Sequence, residues 1–387
     1  MPPIPLPPEP AASFGDDASQ RRFHRRWGHL QDPHVRALAW LLDAPDLLDA
    51  GSPQWHGRIA SLTIDVDSAE ISADSSDIAT WLTRLDANPE ALHASLDLST
   101  ATRLGRYAEK LLAYYFTWRG TLFAHGLQVR MARQLIRTGQ GDQAEIGRSD
   151  RKGGSGAFKR GETVGEFDFL LWDERDLLHL ELATKFYLFE EAPGSDAGQD
   201  FIGPNLADTL GAKMDKILNR QLALARHPAA KDYLPQPVAR SQALIKGWLF
   251  YPVTAALPGP QQMHGNEISR QQTDRGSPGV ASDHCRGVWC SLHEFATIDA
   301  QGFLLLPRLA WLAPARSDGT AILAQDVMRE QLALHFAIDT MPMLIALMEY
   351  GDGSWREVSR CFVVPDDWRK RVHERNQRTV LRLENSN

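Results

Sequence analysis

Two apolar-faced segments in tandem, 164–172 and 177–188, are separated only by Asp173-Glu174-Arg175-Asp176, and no other feature constrains the fold of this chain as strongly. Side chains alternate across a strand. In the first segment Phe167, Phe169 and Leu171 fall on one face, and Val164, Glu166 and Asp168 on the other. In the second, Leu180, Leu182, Phe186 and Leu188 oppose His179, Glu181, Ala183 and Lys185. A short polar turn between two such segments predicts a hairpin. Pairing Trp172 with Leu177 across it sets Asp168 directly opposite Glu181, with Cβ atoms ~5 Å apart. Two carboxylates so placed repel unless a cation lies between them. Mg²⁺ suits that position, because it takes one or two carboxylates together with water and phosphate oxygens. The plainer alternative is a wet strand face, on which Glu166 and Lys185 form a diagonal ion pair worth under ~1 kcal/mol.

Helices and strands alternate around this hairpin. Pro33 stands at a favourable first helical position, ahead of an apolar stripe of Val35, Leu38, Leu41 and Leu42. A helix is expected over 77–85, and a stronger one follows Thr100. There Leu104, Tyr107, Ala108, Leu111, Leu112, Tyr115 and Phe116 share one face, with Glu109 on its border. A strand is expected over 127–131, a glycine-rich loop over 139–161, a helix over 206–225 with Asn205 as its cap, and a buried strand over 243–251. Further strands are expected at 303–306, 344–348 and 361–364, with a helix near 326–336. The chain therefore divides into a disordered lead-in (1–19), an α/β core with helical N-terminal part (20–252), a flexible linker rich in Gly, Pro, Gln and Ser (253–282) and a C-terminal α/β part (283–387).

Composition excludes several classes. No apolar run approaches the ~20 residues of a membrane helix, and the proline-rich start lacks the pattern of a secretion signal, so a cytoplasmic protein is expected. Three cysteines do not make a disulfide framework. His284, Cys285, Cys290 and His293 match no zinc-binding spacing. The net charge of -7 does not advertise nucleic-acid binding. Basic residues nevertheless cluster at Arg21, Arg22, Arg25 and Arg26, at 148–160 and at 369–382, where they either meet phosphates or form solvated surface.

LGRYAEKLLAYYF with Glu109, GEFDFLLW with Asp168 and LELATKFYL with Glu181 and Lys185 stand in the order of the PD-(D/E)XK nuclease signature, which they resemble. More narrowly, these stretches, with DPHVRALAWLL, FIGPN and RCFVVPDDW, look like the bacterial family called domain of unknown function 1853, over roughly 27–368. The resemblance implies a central mixed sheet flanked by helices. Asp168 and Glu181 would be the Mg²⁺ (or Mn²⁺) ligands, together with a backbone carbonyl near Leu182. Lys185 would orient the metal-bound water or stabilise charge on the scissile phosphate, and Glu109 would anchor outer-shell water or a second metal. Lys213, Lys216 and Gln221 would hold substrate phosphates. The sequence departs from the pattern at three points. Phe167 replaces the proline, Lys185 lies four residues after Glu181 with Ala183 at the usual lysine position, and Gln221 is followed by Ala225 where related sites carry tyrosine. The expected function is a Mg²⁺-dependent nuclease acting on DNA or RNA. The alternative is a catalytically degenerate module that binds nucleic acid or protein. Proximity of Lys185 to the metal position favours the first, and pairing with Glu166 the second.

Overall fold

The computed structural model describes residues 19–62, 73–97, 103–131, 163–191, 200–253 and 279–384. The lead-in 1–18, the glycine-rich loop with its basic cluster and most of the 253–282 linker lie outside them. Helices α1 (Ser19–Trp27), α2 (Pro33–Asp43), α3 (Ala73–Ala87), α4 (Glu90–Leu96) and α5 (Leu104–Trp118) precede the first strands, β1 (Leu122–Arg130), β2 (Thr163–Asp173) and β3 (Asp176–Phe189). After the short β4 (Phe201–Ile202) come α6 (Leu210–Lys216), β5 (Val238–Pro252), β6 (Cys285–Ser291), β7 (Gly302–Leu305), β8 (Arg316–Ser317), α7 (Gln325–Phe336), β9 (Met343–Gly351), β10 (Ser354–Val364) and α8 (Trp368–Glu384).

The described strands form one mixed sheet in the order β1-β2-β3-β5-β6-β10-β9-β7, with β4 beside β3 and β8 beside β10. Its centre is parallel (β3 with β5, β5 with β6, β6 with β10), and its flanks are antiparallel. Strands from both sides of the linker thus share one sheet. Parallel neighbours buried on both faces account for the nearly continuous apolar run of β5, which is buried from Ala243 to Tyr251. Helix α2 starts as its sequence predicts: Asp32 accepts the His34 and Val35 N–H groups, and Pro33 occupies the first turn. Helix α5 buries Leu104, Tyr107, Ala108, Leu111, Leu112, Tyr115 and Phe116. That stripe packs on Phe169, Leu171, Leu180 and Phe186 of the hairpin, each large side chain contributing roughly 1.5–3 kcal/mol.

The helix expected over 206–225 is broken into three kinds of turn. An α-helix to Lys216 is followed by a π-turn over Ile217–Gln221 and a 3-10 turn over Leu222–Arg226. Its cap is Thr209, whose hydroxyl accepts the Ala212 N–H at 3.3 Å. Asn205 instead turns its own loop by accepting the Ala207 N–H. Part of each of the N-terminal and C-terminal basic clusters is paired with acids: Arg22 and Arg26 with Asp43, Arg369 with Glu294 and Glu190, and Arg371 with Asp367.

One consequence of burial is measurable in acid. His284 is buried between the Tyr251 hydroxyl, 2.9 Å away, and the Ala281 carbonyl, and burial together with Arg286 pushes its pKa down to about 3. The fold therefore holds the imidazole neutral. Its contribution to stability is complete above the unfolded pKa of about 6.5 and is lost as pH falls towards 3, amounting to a few kcal/mol. Urea unfolding at pH 7 and pH 4.5 should show a marked loss of stability in the wild type and a smaller loss in His284→Asn.

Candidate functional site

The hairpin register is as the turn predicts: Trp172 pairs with Leu177, Leu171 with Leu178, Leu170 with His179 and Phe169 with Leu180. There the ladder ends. β3 continues alongside β5 while β2 bends away, so Asp168 and Glu181 sit at the fork. The Leu182 N–H has no strand partner on this side and is taken by the Asp168 carboxylate, Oδ2 accepting it at 2.9 Å. The Asp168 N–H in turn points at Glu181 Oε1, 3.4 Å away. Both carboxylates therefore share the fork, and each is tied to the other's strand.

Alternation along β3 holds. Odd residues from Leu177 to Tyr187 face the α6 side, and Leu180, Phe186 and Leu188 face α5. Along β2 it fails at one step. Phe167 packs with Leu170, Leu177 and Leu224 on the α6 side, whereas Phe169 packs against α5. Glu166 turns to the α5 side, 3.3 Å from Arg106 and 3.1 Å from Gln128. The expectation that Glu166 and Asp168 share a face is overturned, and so is the Glu166–Lys185 ion pair. The cause lies on β1. Gly126, between the pairs Leu127↔Phe167 and His125↔Phe169, has φ 63°, a left-handed conformation that interrupts the pleat opposite Asp168.

Glu181 is 1% exposed and fully engaged. His179 donates from Nε2 to Oε1 at 2.7 Å, and Gln221 donates from Nε2 to Oε2 at 2.6 Å. The π-turn makes the second contact possible. Its wider step lets Gln221 face the sheet while the adjacent Leu222 remains in the core. His179 Nδ1 and Gln221 Oε1 are both buried without a hydrogen-bond partner among the described residues. Gln221, expected to hold phosphate, thus grips a carboxylate instead. Nothing in the sequence pattern singled out His179 beyond its place on the ionisable face.

The acids strain against one another. Burial, then Glu181 and Glu109, push the Asp168 pKa up to about 8, with the Leu182 hydrogen bond opposing. Burial, with Glu166 and Glu181 adding and Arg106 opposing, pushes Glu109 up to about 7. No lysine or arginine among the described residues forms an ion pair with Asp168, Glu181 or Glu109. Helix α5 therefore delivers Glu109 to the fork, as its place on the stripe border predicts.

The lysines divide differently from the expectation. Burial, Lys213 and Lys216 push the Lys185 pKa down to about 8, against Asp208, and neither Asp168 nor Glu181 is among the charges acting on it. Lys213 is also lowered, by burial and Lys216, but Asp208, Asp168 and Glu181 all act to raise it. Lys213, on α6, is therefore the lysine in the field of both carboxylates. Lys185 belongs with Lys213, Lys216 and Asp208 farther along β3.

What could hold a metal follows from this donor set. No group of three or more His, Cys, Asp or Glu residues among the described residues is arranged to hold a metal ion by itself. Asp168 and Glu181 supply two oxygen donors, which suits an ion that completes its shell with water and phosphate. Elsewhere, a cavity of about 730 Å³ opens between α2 and the segment 304–318. Its walls are mainly apolar, and His34 Nδ1 lies 2.7 Å from the Tyr107 hydroxyl at its edge. No helix among the described residues is long and apolar enough to cross a membrane.

Neither the curated proteins nor the solved structures contain a significant match to this chain. The family model described as Domain of unknown function (DUF1853) matches residues 36–139 and 157–364, a span that includes the fork, α5 and α6. The chain belongs to that family.

Proposed function

We propose that this protein is a Mg²⁺- or Mn²⁺-dependent nuclease that hydrolyses phosphodiester bonds at a PD-(D/E)XK-type site. The observation that carries the reading is the fork itself. Two carboxylates on neighbouring strands, with a third from α5, are gathered without an ion pair to any described lysine or arginine, and burial together with Glu181 and Glu109 pushes Asp168 up to about 8. Such a cluster is unfavourable unless a proton or a cation neutralises it. An all-oxygen donor set of two carboxylates fits a hard divalent ion whose remaining positions go to water and a substrate phosphate. When bound, the ion polarises the phosphate and lowers the pKa of water. Asp168 and Glu181 would hold it. His179 and Gln221 lock the Glu181 carboxylate in place, as outer partners of metal ligands commonly do. Glu109 orients water at the edge of the site. Lys213, rather than Lys185, meets the negative charge that grows on the scissile phosphate.

The test is cleavage of plasmid, linear DNA and RNA by the full chain in Mg²⁺, in Mn²⁺ and in EDTA, beside Asp168→Ala. Metal-dependent cleavage lost in the variant is expected. Absence of cleavage in every wild-type condition, or cleavage indifferent to the substitution, would sink the reading. Metal binding is checked separately by thermal unfolding. At 100 times its dissociation constant the ion should stabilise the wild type by about 2.7 kcal/mol, whereas Asp168→Ala should gain much less. A non-catalytic nucleic-acid-binding module is the second reading, favoured by the displacement of Lys185 from the carboxylates. It predicts binding that is indifferent to metal, with no cleavage.

A further inference from the structure

We propose that Lys185 and Lys216, beside Lys213, form a subsite for a terminal phosphate monoester, so that the substrate is a nucleic-acid end carrying a 5′- or 3′-phosphate. The proposal rests on the nuclease reading for the identity of its ligand, but on separate residues for its geometry. Lys185 projects from the same face of β3 as Glu181, four residues on and so about 13 Å along the strand. Helix α6 and the π-turn that follows it lie on that face, with Met214 and Ile217 in one core with Ala183 and Tyr187. This packing brings Lys213 and Lys216 over the strand beside Lys185.

The three ammonium groups make no hydrogen bond or ion pair to a described residue. The one acid acting on all but the outermost of them is Asp208, whose carboxylate already accepts the Tyr187 hydroxyl at 3.1 Å. Holding Lys185 half-buried and unpaired is costly, and the drop of its pKa to about 8 reflects that cost. An anion bound there removes the penalty. Lys213 also lies in the field of Asp168 and Glu181, but Lys185 and Lys216 together present two ammonium groups, to which one internal phosphodiester brings a single negative charge. A phosphate monoester, with a second pKa of about 6, brings roughly two at neutral pH.

The surroundings favour a chain end over a strand passing through. β4 pairs with the last residues of β3, Ile202 with Leu188 and Phe201 with Phe189. The turn that follows closes against Asp208: the Gly203 N–H donates to the Asp208 carbonyl at 3.0 Å, and a Cβ at Gly203 would lie 2.7 Å from Asp208 Oδ1. On the face that carries Lys185, the next residue along, Tyr187, is covered by Asp208 and by the core around Phe201, Leu210 and Met214.

The experiment measures binding of single-stranded oligonucleotides to the full chain in EDTA, where no cleavage intervenes, by fluorescence anisotropy. The probes carry a 5′-phosphate or 5′-hydroxyl with a 3′ label, and a 3′-phosphate or 3′-hydroxyl with a 5′ label. One phosphorylated end is expected to bind about 10- to 100-fold tighter than its hydroxyl counterpart, the range for hydrogen bonds to charged groups. Lys185→Met and Lys216→Met should each erase most of that preference. Lys185→Arg and Lys216→Arg, which keep the charge, should retain it and report on folding. Equal affinity for phosphate and hydroxyl at both ends, or a preference that survives both methionine substitutions, overturns the subsite. A preference without metal-dependent cleavage removes the nuclease reading and leaves the subsite standing, while cleavage without a preference does the reverse.

Discussion

In EDTA at pH 8, Asp168→Asn is expected to be more stable than the wild type by a few kcal/mol, yet on the order of 1,000-fold or more slower in metal-dependent cleavage. The stability half follows from linkage. The folded pKa of Asp168 is raised from 3.8 to about 8 by burial and by Glu181 and Glu109. The native state therefore holds its proton more tightly than the unfolded state, and this residue's contribution to stability falls as pH rises from about 4 to 8. Asparagine has no proton to lose, and its side-chain oxygen still accepts the Leu182 N–H. The variant's advantage should shrink towards pH 5. Adding Mn²⁺ should narrow the difference at pH 8, because the ion stabilises only the chain that binds it. Denaturant midpoints at pH 5 and pH 8, with and without Mn²⁺, together with cleavage rates, check both halves. A wild type that is the more stable at pH 8 in EDTA would show that the acids are not set against one another, and would leave the fork without a reason to hold an ion.

Lys213→Met should lower the cleavage rate by about 100- to 1,000-fold, the range for removing one positioned charge stabiliser. Lys185→Met should slow the reaction on an internal phosphodiester, within a substrate with hydroxyl ends, by only a small factor. Methionine keeps the length and apolar stem of the side chain, so the comparison isolates the ammonium group. The contrast arises because Asp168 and Glu181 act on the charge of Lys213 and not on that of Lys185. Single-turnover rates at saturating metal measure it. If Lys185→Met were as damaging as Lys213→Met on hydroxyl-ended substrate, the catalytic role would return to the lysine on β3.

The carboxylate pair and its scaffold were legible in the chain because each rests on local rules. The polar turn 173–176 set the hairpin register as far as Phe169 and Leu180, strand alternation placed Glu181 on the face opposite Leu180, and helical periodicity put Glu109 at the border of the buried stripe of α5. A break in alternation is a different matter. Glu166 left the Asp168 face because Gly126, on a strand separated from it by some forty residues, interrupts the pleat opposite Asp168. The grip of His179 and Gln221 on Glu181 and the placing of Lys213, not Lys185, in the field of the carboxylates depend on how the segment 210–226 settles on β3, including a π-turn whose phase no propensity encodes. The strand order is equally non-local, since β3, β5, β6 and β10 become parallel neighbours only through long crossovers. Short-range sequence thus determined which residues line the site, because turns and periodicities act within a few residues. Only tertiary packing decided which charges face one another, since an ammonium group finds its neighbours across space rather than along the chain.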